Sequence, residues 1–329
     1  MLVTVDQSAL TSPSTQLDLV ALFGYAFRGR CRVLTSPLYD TEDESDKDHP
    51  VTKWLTTLNP ILKEECQLTL ASSLEDEALR PSSVQISAVF GQVSLWSLST
   101  PLVKVSDVLT FLARPFRILV ENRRNDRAFL LSFAKPWMRE KIVNFESQGW
   151  LIFDHCGGLG EMLNSLRDMR ERAIEQLRTY VVFDHDGLRR ARPSQSSTLV
   201  SEACQPHILF HRLERRMIEN YMPRELLGIW ANKEKKAELV AAFLSLNEEQ
   251  RHFYNFKGGL HSDARRTDDP EANTFSGLDS TRTNQLRNGF GRGIVDLFRQ
   301  ESYWDETWFA DEDCASEISS MMNILTSML

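Results

Sequence analysis

Short runs of branched and aromatic residues, each passing into an acid, punctuate the middle of the chain. The clearest is Tyr180-Val-Val-Phe-Asp184-His-Asp186-Gly187, where an apolar run with strand propensity meets two acids one residue apart and a glycine that lets the chain turn. Arg117-Ile-Leu-Val-Glu121 repeats the pattern upstream and leads into a helical one. Gly149-Trp-Leu-Ile-Phe-Asp154-His-Cys-Gly157-Gly158-Leu-Gly160 reads as a strand ending in a glycine turn that opens a helix. His207-Ile-Leu-Phe-His-Arg-Leu-Glu214 is again a strand running into acids. Strand, helix, strand, helix, strand, strand is the rhythm of a parallel, Rossmann-like α/β sheet with crossover helices. In such sheets polar groups for ligands collect at the carboxyl ends of the strands.

The flanking regions carry other patterns. Residues 1–112 read as an α+β module. Arg32-Val-Leu, Cys66-Gln-Leu-Thr-Leu, Ser83 to Phe90 and Gln92 to Leu98 all look like strands, several with period-two alternation, which suggests a mixed or antiparallel sheet on few helices. A short helix, Val105 to Leu112, feeds the central domain at 113–224. Residues 225–329 form a helical region. Apolar spacing marks Glu225 to Leu246, and Ser245-x-x-Glu248 resembles a capping box. The next helix is expected to stop at Phe256-Lys257-Gly258-Gly259. A polar loop from His261 to Ser280 and a helical pair, Arg282 to Phe298 and Glu317 to Leu325, follow.

Composition adds bounds. A chain of 329 residues that is 42% hydrophobic can bury a sizeable core. The net charge of −8 means that any nucleic-acid contact depends on a local basic surface. No apolar run approaches the ~18 residues of a membrane span, and Asp6 without a basic flank argues against a secretory signal. Five scattered cysteines read as reduced thiols, so a cytoplasmic location without membrane partners is expected. The acidic run Asp40 to Asp48 lacks the glycine and terminal glutamate of an EF-hand loop and reads as a solvated or disordered loop. Cys204, His207 and His211 have tempting spacing, but without a fourth ligand they read as packing residues.

The central motifs resemble a known family. Leu119-Val-Glu121 with Asp126 and Phe129, then Gly157-Gly158, then Asp184-x-Asp186, follow the order of the Toprim domain shared by topoisomerases, bacterial primases and nucleases. Leu213-Glu-Arg-Arg-Met-Ile-Glu219-Asn-Tyr-Met-Pro223 is similar to a segment of Toprim nucleases related to the overcoming-lysogenization-defect group. The resemblance spans Arg117 to Pro223, with Asn122 where many members have glycine and Asp126 one position later than their common spacing. It implies a Mg2+- or Mn2+-dependent endonuclease in bacterial defence against phage. It also implies Glu219 as an additional acid for a second ion, and Lys257, within Phe253-Tyr-Asn-Phe-Lys257-Gly-Gly, as a phosphate-stabilising cation. Related nucleases often work with an ATPase. This chain has no phosphate-loop motif, so a separate ATPase or sensor partner is expected, and the oligomeric state stays open.

The residues themselves suit that chemistry. Two carboxylates at the end of a buried strand repel unless a cation sits between them, and oxygen ligands suit magnesium and manganese. Two ions roughly 4 Å apart stabilise both the attacking and the leaving oxygen of a phosphodiester. Glu121, Asp126, Asp184, Asp186 and Glu219 are the candidate ligands. The resemblance to topoisomerases and primases implies that Glu121 can instead be the general acid or base. Lys257 can instead be a favourable charge at a helix end. Glu214 reads as a partner of Arg215 and Arg216. Arg123, Arg124 and Arg127, then Arg189, Arg190 and Arg192, then Arg215 and Arg216, each lie beside a proposed ligand and are expected to hold nucleic-acid phosphates. Two alternatives remain. Val-Val-Phe-Asp184-x-Asp186-Gly also fits the nucleophile loop of haloacid-dehalogenase-type phosphatases, with Asp184 attacking phosphorus. The chain could also be a catalytically silent Toprim partner subunit.

Overall fold

Two parallel four-stranded sheets share the same strand order in the computed structural model, which describes residues 1–40, 46–91, 93–263, 274–309 and 312–329. The first contains β1 (Leu2–Asp6), β2 (Arg32–Ser36), β3 (Gln85–Val89) and β4 (Leu102–Lys104) in the order β2-β1-β3-β4. The second contains β5 (Phe116–Val120), β6 (Leu151–His155), β7 (Thr179–Phe183) and β8 (Leu209–Arg212) in the order β6-β5-β7-β8. All pairings within both sheets are parallel. The molecule is therefore an α/β protein, compatible with a Rossmann-like fold. No helix among the described residues is long and apolar enough to cross a membrane.

The second sheet matches the rhythm of apolar runs. Ile118 and Val120 of β5, with Tyr180 and Val182 of β7, enter the main hydrophobic cluster. Their neighbours Leu119, Val181 and Phe183 enter a second cluster with Met162, Leu166, Val200 and Cys204. Burial on both faces explains the unbroken hydrophobicity of these strands. The crossover between β7 and β8 contains a helix, Gln195–Cys204, that the expected strand-to-strand passage lacks. A parallel pair requires such a connection.

The first sheet corrects the expectation of a mixed or antiparallel arrangement. Val3, Val5, Val33, Ile86, Ala88 and Val103 all belong to the main cluster, whereas Thr4, Leu34, Ser87 and Val89 on the opposite face are only half-buried. Alternation here reports uneven coverage of the two faces and says nothing about strand direction. Cys66 to Leu70 is not a strand but part of the helix Pro60–Leu79, capped by Asn59, whose side chain accepts from the Leu62 N–H at 2.9 Å. Its buried positions Cys66, Thr69, Leu70 and Ser73 follow helical spacing. Of Gln92 to Leu98, only Leu95 makes an isolated bridge, and Gln92 lies outside the described residues.

The helix Val105–Ala113 leads into β5 as expected. After Pro223 the chain forms helices Arg224–Glu234 and Ala237–Leu244, broken where Lys235 adopts a left-handed conformation with φ 55°. The capping box lies later than expected, with Asn247 and Gln250 as its reciprocal pair. Arg282 to Phe298 is not one helix. It divides into Ser280–Gln285 and a 3-10 segment, Arg292–Arg299, separated by Gly289 and Gly291 at positive φ. The last helix is longer than expected, at Glu312–Met328. Most of the acidic run and part of the polar loop, residues 41–45 and 264–273, lie outside the described residues. The main cluster draws on both sheets and on the C-terminal helices.

Candidate metal centre

The chain passes from β5 to β6 on one side and then to β7 on the other, which creates a topological switch point between the carboxyl ends of β5 and β7. Glu121 directly follows β5 and Asp184 directly follows β7. The Asp184 N–H donates to Glu121 Oε1 at 3.0 Å, and the Ile218 N–H donates to Asp184 Oδ1 at 3.2 Å. The two strand-end acids and the turn bearing Glu219 are thus tied together by main-chain donors.

Each remaining acid has its own support. Asp126 occupies the first turn of the helix Arg123–Phe133 and accepts from the Asn122 N–H at 2.8 Å, while Asn122 Oδ1 accepts from the Asn125 N–H. Asp186 adopts φ 48°, and its N–H donates to the Arg216 carbonyl at 2.8 Å. Gly187 follows because a Cβ there would run into the Arg192 carbonyl and the His185 ring. His185 Nδ1 accepts from the Gly187 N–H at 3.1 Å and its Nε2 faces the Arg190 carbonyl, so this histidine holds the loop. Glu219 lies in the 3-10 turn Ile218–Tyr221 and is 1% exposed.

These acids crowd one another. Burial first, and then the charges of neighbouring carboxylates, raise the pKa of Asp184 well above the ordinary carboxylate range. Burial likewise raises Glu121, opposed by the Asp184 N–H and by Lys257 and reinforced by Asp186 and Glu219. Asp126 is pushed up to about 7 by burial, with Glu121 and Glu219 adding to the effect. Lys257 is the counter-charge. Burial alone would lower its pKa, but Glu219, Asp184 and Glu121 outweigh burial and raise it. Its Nζ lies 3.4 Å from Glu219 Oε1. The other carboxylate oxygen, Glu219 Oε2, is buried with no hydrogen-bond partner.

Lys257 does not stand at a helix end, because that helix stops at Phe253. Its turn is closed by the Gly258 and Gly259 N–H groups, which donate to Asn255 Oδ1 at 2.9 Å and to the Asn255 carbonyl at 2.7 Å. Among the described residues no three carboxylate, imidazole or thiol side chains form a ready-made ligand cluster. The donor set nevertheless fits a hard cation: several oxygen ligands, raised proton affinities, and one buried oxygen without a partner.

The arginines divide into three groups. Arg123 and Arg124 are exposed, and with the half-buried Arg127 they line a cavity of about 610 Å³ that also takes in Asn122, the residue after Glu121. Arg127 is also engaged with Glu146 at 2.8 Å. Arg190 pairs with Glu214, which is therefore not the partner of Arg215 or Arg216; Arg189 is half-buried and Arg192 exposed. The expectation that Arg215 and Arg216 bind phosphate fails because both are buried. Arg216 makes a bidentate pair with Asp263 at 2.7 and 2.8 Å, and Arg215 lies over the Tyr221 ring while donating to the Asn220 carbonyl.

Several supporting residues had no signal in the sequence. Glu317 accepts from the Tyr221 hydroxyl at 2.7 Å and the Glu214 N–H at 2.8 Å, and lies 3.0 Å from His211 Nε2. It fastens the Glu219 turn to the last helix and engages His211. Asp263, the partner of Arg216, is likewise distant in sequence from the motif it supports, and Arg299 and Trp304 reach the cavity of Arg123 and Arg124 from far along the chain. Comparison of the chain with family models, curated proteins and solved structures finds no match.

Proposed function

We propose that this chain is a Toprim-type endonuclease that hydrolyses phosphodiester bonds of DNA or RNA with two divalent ions, Mg2+ or Mn2+, as an effector of anti-phage defence. The observation that carries the reading is the buried Glu219 Oε2 without a partner, beside Glu121, Asp126 and Asp184 whose proton affinities are raised by confinement. Glu121, Asp184, Asp186 and Glu219 would hold the ions, with Asp126 as a further ligand. Bound ions would stabilise charge on the phosphoryl oxygens and lower the pKa of an attacking water.

The protein's own groups have separate work. The Asp184 N–H fixes Glu121 Oε1, leaving Oε2 to hold a cation or accept a proton. Lys257, half exposed at the rim, neutralises Glu219 and can meet a phosphate oxygen. A separate ATPase or sensor protein would control the activity.

A second reading is a catalytically silent partner subunit in which Lys257 permanently takes the place of the cation. The 3.4 Å Lys257–Glu219 pair and the lack of a preformed ligand cluster among the described residues favour it. Purified protein incubated with plasmid, linear DNA and total RNA, in Mg2+, Mn2+ or chelator, separates the two. The nuclease reading expects metal-dependent cutting that Glu121→Gln and Asp184→Asn both abolish. Cutting that survives either substitution contradicts it, and a wild type that neither cuts nor takes up metal supports the silent subunit.

A further inference from the structure

The cavity lined by Asn122, Arg123 and Arg124 has a composition that a general phosphate-binding surface does not require. Two of its arginines, Arg123 and Arg124, are exposed and make no ion pair among the described residues. A third, Arg299, comes from the C-terminal 3-10 segment and pairs with Asp296, and burial first and then the charge of Arg124 lower its pKa. Like charges brought together at an open cavity favour an anionic occupant. Of the residues lining the cavity, Glu301 is the one acid.

The cavity also has an aromatic wall. Trp304 is half-buried, with its Nε1–H donating to the Phe298 carbonyl at 2.7 Å and the Arg139 guanidinium 4.9 Å from the ring centre. The indole is therefore held in a fixed orientation. His155, at the end of β6, contributes a second ring to the lining. Arginines interleaved with rings are how single strands are bound: charge follows the backbone and rings stack on bases. The volume of about 610 Å³ lies within the roughly 300–1,000 Å³ of pockets that enclose a small ligand. It suits one unstacked nucleotide, whereas a base within an intact duplex presents only its edge.

We propose that the cavity formed by Arg123, Arg124, Arg299, His155 and Trp304 receives an unstacked nucleotide of a single strand, so that the protein selects single-stranded or flapped nucleic acid over intact duplex. Binding stands on the cavity alone. Only the cutting of the bound strand rests on the nuclease reading, in which Arg123 and Arg124, close after Glu121 in the chain, deliver that strand to the acids.

The test is fluorescence polarisation of a labelled 12-nucleotide single strand and the same sequence as a duplex, in chelator so that no cutting occurs. The single strand is expected to bind at least tenfold more tightly. Trp304→Leu is expected to weaken it on the order of tenfold, while Trp304→Phe, which keeps a ring and the packing, retains most binding. The Arg123→Ala/Arg124→Ala protein is expected to lower the slope of log affinity against log salt by about 1.4, or roughly 0.7 per lost phosphate contact. Asp6→Asn, at the end of a strand of the first sheet and outside the cavity lining, is expected to bind like wild type.

Equal affinity for duplex and single strand, or a Trp304→Leu protein that binds like wild type, overturns the proposal even if metal-dependent cutting is found. A free nucleoside monophosphate that binds more tightly than the oligonucleotide also overturns it, by making the cavity a small-molecule site. Selective single-strand binding by a protein that neither cuts nor takes up metal would leave the cavity proposal standing and count against the nuclease reading.

Discussion

The two sheets have the same strand order and the same switch point, yet among the described residues only the second gathers acids there. In the first sheet Asp6 ends β1 in the position that corresponds to the end of β5, but its carboxylate accepts from the Ser8 N–H at 2.8 Å and caps the following short helix. After β3 the chain continues with exposed Phe90 rather than an acid. In the second sheet Glu121 and Asp184 occupy both sides of the switch point, Glu219 arrives on a separate turn, and burial raises the proton affinity of the first two. Strand topology supplies a crevice. The second sheet adds to it several like charges confined on separate elements, an arrangement the described residues of the first sheet do not share.

The largest expected difference between the sheets is in turnover. Glu121→Gln or Asp184→Asn should reduce metal-dependent phosphodiester cleavage on the order of a thousandfold, with the fold preserved by circular dichroism. Asp6→Asn should leave cleavage unchanged. Equal losses from both sheets would erase the distinction.

Support for the second rim should also be expensive to remove. Arg216→Met leaves Asp263 buried without its bidentate partner and should cost about 3–5 kcal/mol in denaturant unfolding. Lys257→Met should reduce cleavage on the order of a hundredfold while strengthening divalent-ion binding measured by calorimetry, because it removes the ammonium that competes for Glu219. Weaker ion binding in that variant would mean that Lys257 positions the acids rather than competing for them.

A pH series separates the rims more gently. Asp126 titrates in the unfolded chain near ~3.9 but at about 7 in the fold, so the folded state holds the extra proton between these values. Its contribution to stability is favourable when protonated and diminishes as pH rises through that window. Thermal melts of metal-free protein should therefore lose stability from pH 5 to pH 8, and Mn2+ added at pH 8 should restore a few degrees of Tm. The smallest effect belongs to the first sheet. Asp6→Ala removes a helix cap and should cost about 1 kcal/mol with no dependence on metal.

Much of the second sheet was legible because its strands are buried on both faces and write continuous apolar runs that end at Glu121 and Asp184. The first sheet was harder to read. The central place of β1 between β2 and β3 is set by pairings across the chain and leaves no local mark. The segment Cys66 to Leu70 alternates over five residues, although Asn59-Pro60 and the spacing of Cys66, Thr69, Leu70 and Ser73 carried the helical signal. The candidate acids were visible as motifs, but their supports were not. Arg216 meets Asp263, and Tyr221 meets Glu317, across long stretches of chain that no local pattern spans. Of the two arginines proposed as a phosphate-binding pair, Arg216 is held in the interior by the distant Asp263, whereas Arg215 packs on its near neighbours Asn220 and Tyr221.

The most direct measurement is titration of Mn2+ into the protein at pH 8, with free Mn2+ followed by its paramagnetic resonance signal. The account predicts saturable uptake by the wild type, weakened roughly 10–100-fold in Asp184→Asn and unchanged in Asp6→Asn. Uptake by Asp184→Asn as tight as that of the wild type, or none by either protein, would contradict it.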